Sequence, residues 1–184
     1  MGIDVWEVIN AAATKPFGFK AFYPGPGIGG HCIPVDPFYL TWKAKEYGIH
    51  TRFIEIAGEI NEAMPEYVVR RTMEVLNKRK KALNGAKILV MGLAYKADVD
   101  DERESPSFHI LDQLLEHGAE PEFYDPHVPQ IRPVRKHPYW RGRKSAVWTE
   151  QSVRSYDAVI ISTWHSKFNR DELLQWADCI IDTR

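Results

Sequence analysis

Hydrophobic positions predict a helical first half of the chain, up to about residue 84. Apolar residues recur at three- and four-residue intervals between 53 and 82, which indicates one long helix. Shorter helices are predicted over 3–13 and 37–47. Pro65 lies inside the long segment and is expected to kink it or to mark a restart. At ~1.5 Å per residue the long helix would span ~42 Å, so we expect it to connect domains or to pack against a partner.

The second half alternates short apolar runs with helical patterns, which is typical of a parallel α/β sheet. Residues 87–91 are nearly all apolar, as expected for a strand that is buried on both faces. Ser105 and Pro106 begin a helix that ends near Gly118. The remaining elements are a helix over 170–176 and strands over 122–124, 146–148, 157–162 and 179–182. They predict a doubly wound sheet of strand order 3-2-1-4-5, with ligands at the carboxyl ends of the strands.

We therefore expect two units: a central helical segment over 1–84 and an α/β domain over 85–184. The formal net charge of −1 provides no global basic surface for nucleic acid. No apolar run approaches the ~18 residues that suggest a membrane span. The first ten residues carry Asp4 and Glu7 where a signal peptide would carry cations. Two cysteines are too few for a disulfide framework, so a cytoplasmic location is expected.

A loop rich in glycine and proline, residues 21–40, is the first candidate site. Its glycines would let the backbone approach a ligand closely: Gly25, Gly27, Gly29 and Gly30. Cys32 in this loop could be an activated nucleophile, with His31 and Asp36 handling protons. A buried small residue in a tight loop, with His31 at the surface, remains the alternative. Cys179 begins an apolar strand and is expected to be a core thiol.

The loop after the first predicted strand, GLAYKADVDDERES, is the second candidate. It contains only Gly92 where a dinucleotide-binding fold carries GxGxxG, which argues against NAD binding by this half. Lys96 offers a positive charge to a phosphate, although a solvated lysine fits as well. Most of the acidic residues in the loop are expected to be solvated. Trp164 and His165 follow a later strand, where they could stack a base or pack the next helix.

Two segments together resemble one enzyme family. GPGIGGHCIPVDPFYL resembles the catalytic-cysteine loop of the UDP-glucose/GDP-mannose dehydrogenase family, and ILVMGLAYKADVDDERESPS resembles the start of its UDP-binding domain. The segments occur in the family's order, with a long helix between them. The GGHC form is similar to members that oxidise UDP-N-acetyl-hexosamines. The resemblance covers essentially the whole chain.

The resemblance implies a reaction and a set of site residues. Family members oxidise a sugar C6 alcohol to a carboxylate with two NAD⁺, through a thiohemiacetal and a thioester on the cysteine. It implies Cys32 as the nucleophile and Asp36 as the carboxylate that assists water or proton handling. It also implies a homodimer through the central helices. The residues expected to bind the UDP-sugar are Tyr23, Gly25, Gly29, Gly30, Lys96 and Arg184.

The family's N-terminal NAD domain has no counterpart in these 184 residues, and neither do the family's catalytic lysine and asparagine, which lie on a helix before the cysteine loop. The isolated chain is therefore expected to bind a UDP-sugar and to dimerise, but neither to bind NAD nor to turn over. A stand-alone nucleotide-sugar-binding module is the alternative, and a cysteine-dependent hydrolase is a weaker one. The dimer is expected to use apolar residues of the long helix, namely Ile56, Ile60, Met64, Val68, Met73 and Leu76.

Overall fold

Three helices precede the sheet in the computed structural model, which describes residues 2–133 and 136–184. Helix α1 spans Val5–Ala13 and is capped by Asp4, whose carboxylate accepts the Trp6 N–H. Helix α2 spans Asp36–Glu46, and helix α3 spans Arg52–Lys78. The long helix therefore ends four residues before its predicted end. It also runs through Pro65 without the restart that the sequence suggested as one possibility.

The second half forms a parallel sheet with helices on both faces. Alternate residues of the central strands face two separate cores. One core contains residues of α3 and of the helix that follows the first strand. The other core contains residues of the last two helices of the chain. The elements are β1 (Lys87–Met91), α4 (Pro106–Glu116), β2 (Glu120–Tyr124), a 3₁₀ turn (Pro138–Trp140), α5 (Glu150–Arg154), β3 (Ala158–Ile161), α6 (Arg170–Trp176) and β4 (Ile180–Asp182). The predicted α/β class and doubly wound arrangement are confirmed.

The strand predicted over 146–148 does not form, so the five-strand order was wrong at this position. The observed order is β2-β1-β3-β4. The Ala146 N–H still donates to the Phe123 carbonyl at 2.8 Å, on the outer edge of β2 where that strand was expected. However, the Ser145 N–H donates to Pro129 and the Thr149 N–H to Val147. Because these amides bond within their own loop, pairing with β2 stops after one hydrogen bond.

Helix α3 has two different surfaces along its length. In its second half, Val68 and Leu76 are buried against the chain's own core, and Met73 packs against the same core. These three residues were expected in a dimer seam, but the sheet and α4 already cover them. In its first half, Ile56 and Ile60 are exposed. Within the described residues, no helix has both the length and the apolar character needed to cross a membrane.

Candidate functional site

The glycine loop packs directly onto the β1–α4 loop. The Gly30 N–H donates to the Arg103 carbonyl at 3.3 Å, and Gly30 has a φ of 90°, which favours glycine. A Cβ on Gly29 would lie 2.5 Å from the Cβ of Tyr95. Gly29 and Gly30 are therefore required for loop-to-loop packing, and this contact places the cysteine loop beside the residue that precedes Lys96.

Cys32 and Asp36 lie one turn apart where the loop enters α2. The Asp36 N–H donates to the Cys32 carbonyl at 2.8 Å, and both residues are exposed. The exposure of Cys32 excludes the alternative of a small buried residue in a tight loop, while His31 is at the surface as that alternative required. Cys179 is 3% exposed, so its predicted place in the core is confirmed.

Two of the predicted binding residues, Gly25 and Arg184, line a cavity of about 390 Å³ between α1, α3 and the end of β4. Tyr23 stacks on Trp6, another lining residue, with ring centroids 5.3 Å apart. Arg184 lies over the Trp164 ring at 5.4 Å. Burial lowers the pKa of Arg184 and the neighbouring Asp182 raises it, so burial prevails.

A larger cavity of about 590 Å³ also borders the glycine loop, and no sequence motif predicted it. Residues of the cysteine loop, α3 and α4 line it, including Ile33 and Pro34, which directly follow Cys32. Its walls are mostly apolar. An ion pair between Glu104 and Lys136, at 2.6 Å, lies among the lining residues.

Lys96 is exposed on a loop that is fixed on both sides. Before it, one carboxylate oxygen of Asp125 accepts the N–H groups of Leu93 and Ala94, at 2.7 and 2.9 Å. After it, the Asp98 N–H donates to Nδ1 of His165 at 2.9 Å. Trp164 beside His165 was expected to stack a base or to pack the next helix; the His165 imidazole itself is fully buried.

Asp98, His127 and His165 bring three potential metal-ligand atoms within 4.8 Å of one another. Nδ1 of His165 already accepts the Asp98 N–H, and its Nε2 lies 3.0 Å from Asp125. Since both imidazole nitrogens are engaged in hydrogen bonds, we interpret the cluster as a hydrogen-bond network and assign it no metal.

The acidic loop is less solvated than the sequence suggested. Glu102 is 2% exposed, so the expectation that most of these carboxylates face water was wrong for this residue. The Arg132 guanidinium binds both of its oxygens, with Nε at 3.0 Å from Oε1 and a terminal nitrogen at 2.6 Å from Oε2. This pairing compensates the burial of the carboxylate.

Two glycine positions could in principle accommodate a dinucleotide, namely the glycine loop and Gly92. Residues 25–30 read GPGIGG, which has the spacing of the fingerprint, but they precede α2 and follow no strand. At the end of β1, a Cβ on Gly92 would collide with the Thr163 carbonyl oxygen. Protein therefore fills the space at Gly92, and neither position among the described residues fits NAD.

Comparisons with known proteins place these features in one family. Residues 1–63 match the UDP-glucose/GDP-mannose dehydrogenase family, central domain, and residues 89–184 match the UDP binding domain of the same family. A UDP-N-acetyl-D-glucosamine 6-dehydrogenase of Pseudomonas aeruginosa is 36% identical over 168 residues, which are 91% of this chain and 38% of that protein.

Solved structures agree with the sequence matches. A UDP-D-ManNAc dehydrogenase from Pyrococcus horikoshii superposes with a TM-score of 0.81 at 34% identity, over all of this chain and 41% of its own. A UDP-N-acetyl-mannosamine dehydrogenase from Staphylococcus aureus gives a TM-score of 0.72 at 34% identity, over 99% of this chain and 40% of its own. The chain thus spans about two fifths of the length of these relatives.

Proposed function

Because the chain belongs to the UDP-glucose/GDP-mannose dehydrogenase family, we propose that it carries the substrate-binding part of a UDP-N-acetylhexosamine 6-dehydrogenase. The observation that carries the proposal is the packing of Gly29 and Gly30 against Tyr95, beside Lys96. This contact brings a cysteine loop and a cationic strand-end loop together. The names of the relatives, which include UDP-N-acetylglucosamine and UDP-N-acetylmannosamine dehydrogenases, support the substrate class.

In this proposal the ligand extends along the cysteine loop. Lys96 pairs with the diphosphate, since an ammonium group suits phosphate as a point charge. Tyr23, Gly25 and the neighbouring backbone up to Gly30 hold the sugar side. Arg184 contributes a second cation from the end of β4.

Cys32 and Asp36 carry the chemistry of the same proposal. The sulfur of Cys32 adds to the C6 aldehyde and holds the sugar first as a thiohemiacetal and then as a thioester. Asp36 takes a proton from the water that hydrolyses the thioester, which releases the carboxylate and the thiol. In this family NAD⁺ accepts the hydrides; because the described residues do not fit it, we assign no residue here to hydride transfer.

We further propose that residues 1–84 form the dimerisation segment and residues 85–184 the UDP-sugar-binding domain, with the second half of α3 packed into the core of that domain. The first half of α3 supports the dimer, because Phe53, Ile56 and Ile60 expose adjacent apolar surface. A stand-alone nucleotide-sugar-binding module remains the alternative. It predicts the same UDP binding, but no role for Cys32 when the chain is combined with an NAD-binding partner.

Calorimetry of the 184-residue chain with UDP, UDP-N-acetylglucosamine and NAD⁺ tests the proposal. We expect both uridine ligands to bind and NAD⁺ to give no binding heat. Removing one charge-assisted contact costs roughly 1.5–3 kcal/mol, so Lys96→Ala should weaken UDP binding about 10- to 150-fold. Lys87→Ala is the matched control, because Lys87 is an exposed lysine at the opposite end of β1. If Lys96→Ala and the parent bind UDP with equal affinity, Lys96 does not contact the diphosphate and the proposed position of the ligand is wrong.

A further inference from the structure

Asp125 and His165 form a buried carboxylate–imidazole pair beneath the loop that carries Lys96. Asp125 is 2% exposed and His165 is 0% exposed, so neither side chain is available to contact a ligand. We infer that this pair positions Lys96 for the ligand's phosphates. The inference rests on the UDP-sugar binding proposed above, and it adds two positioning residues that act through the lysine.

The pair holds the loop on both sides of Lys96. On one side, Asp125 Oδ2 accepts the amides of Leu93 and Ala94. On the other side, His165 Nδ1 accepts the amide of Asp98. Residues 95–97 alone separate the two attachments, so the Cα of Lys96 has little freedom to move. Fixing both ends of so short a segment preorganises the ammonium group for a phosphate.

The hydrogen bonds determine the protonation state of Asp125 and the tautomer of His165. A backbone N–H can only donate, so Nδ1 of His165 must carry the lone pair and Nε2 the proton. That proton faces Asp125 Oδ2 at 3.0 Å. The other oxygen of Asp125 accepts the amides of His127 and Val128. Each contact to Asp125 is therefore a donor, which requires an ionised carboxylate.

The pKa of Asp125 agrees with this requirement. Burial raises the pKa of this carboxyl group, but the hydrogen bonds from His165, Ala94 and His127 outweigh burial and hold the pKa below its usual range. The pair thus consists of a carboxylate and a neutral imidazole of defined tautomer. In Asp125→Asn, the side-chain NH2 replaces one carboxylate oxygen. A donor would then face the backbone and imidazole N–H groups that this oxygen accepts in the parent chain.

Asp157 provides a matched control on the same sheet. Asp157 directly precedes β3, at the amino end of the strands. Its carboxylate accepts the Lys87 N–H at 2.9 Å and binds the Lys81 ammonium at 2.5 Å. Like Asp125 it joins neighbouring segments of the sheet, but it lies at the edge opposite Lys96. Its loss should weaken folding without changing the position of Lys96.

The test is a set of double-mutant cycles that measure UDP affinity of the full chain by calorimetry. Asp125→Asn and His165→Gln are each combined with Lys96→Ala. If the pair acts through the lysine, each single change lowers affinity about tenfold or more, but each lowers it less than about twofold when Lys96 is already alanine. Asp157→Asn should lower the urea midpoint and leave the UDP affinity unchanged.

A further variant covers the case in which Asp125→Asn fails to fold. His165→Asn keeps an acceptor near the position of Nδ1 and should bind UDP more tightly than His165→Ala. Equal losses in the parent and the Lys96→Ala backgrounds, or no loss at all, would overturn the positioning role while UDP binding stands. If the parent chain does not bind UDP, both the proposed function and the positioning role are refuted.

Discussion

A charge placed in the first half of α3 should dissociate the proposed homodimer. The relevant substitution is Ile60→Asp, in an exposed apolar patch with Phe53 and Ile56. Phe53 is 91% exposed, Ile56 is 51% exposed and Ile60 is 59% exposed. Full burial of a large apolar side chain contributes about 1.5–3 kcal/mol. Weighted by exposure, the patch offers roughly 3–6 kcal/mol per protomer, or roughly 6–12 kcal/mol across a twofold interface.

That range is comparable to the association cost of ~4–15 kcal/mol, so each residue of the patch matters. Ile60→Asp removes the free energy gained when the exposed part of Ile60 is buried at the interface. Over both protomers this amounts to roughly 2–3.5 kcal/mol per dimer. This corresponds to an increase of roughly 20- to 400-fold in the dissociation constant. The cost of desolvating two aspartates adds to this loss.

Light scattering at micromolar concentration measures the outcome. We expect a mass near twice the 21.2 kDa of the chain for the parent and a mass near one chain for Ile60→Asp. Leu174→Asp is the matched control, because Leu174 is 58% exposed on α6, on the other face of the sheet. A parent mass near 21 kDa, or equal dissociation by both substitutions, would contradict a dimer interface on the first half of α3.

The remaining predictions concern reactivity, turnover and stability. Cys32 should react with an alkylating agent faster than Cys179 under native conditions, because the first thiol is exposed and the second is buried; mass spectrometry that finds Cys179 labelled first would reverse the assignment. The isolated 184-residue chain should produce no NADH from a UDP-N-acetylhexosamine, and detectable NADH formation by the pure chain would contradict this. Arg132→Ala should lower the free energy of unfolding by about 2–3 kcal/mol in urea titrations. The substitution removes the guanidinium partner of buried Glu102 and leaves only the backbone N–H of residue 132 donating to the carboxylate. Because the Arg132 side chain is 58% exposed, we expect a loss below the usual range for buried pairs. A change under about 1 kcal/mol would show that water compensates the carboxylate.

Most of the secondary structure follows from local sequence patterns. The nearly continuous apolar run of β1 and the Ser105–Pro106 start of α4 depend on local chemistry, namely two-sided burial and helix capping. The strand predicted over 146–148 failed because an edge strand depends on which distant amides it meets. The periodicity of α3 likewise predicted a helix, but not which half would be covered by the chain's own core.

The candidate site divides in the same way. Residue types and spacing made Cys32, Asp36 and Lys96 candidates, because a thiol in a glycine loop and a cation after a buried strand are visible in the sequence; the resemblance to the family then supplied their expected roles. The association of Asp125 with His165 was not visible, since 40 residues separate them along the chain. They meet because β2 and β3 both pair with β1, which brings the carboxyl ends of the two strands to one edge of the sheet. Only the tertiary structure could show that these buried groups hold the loop of Lys96, because their partners are backbone amides, which every sequence position offers alike.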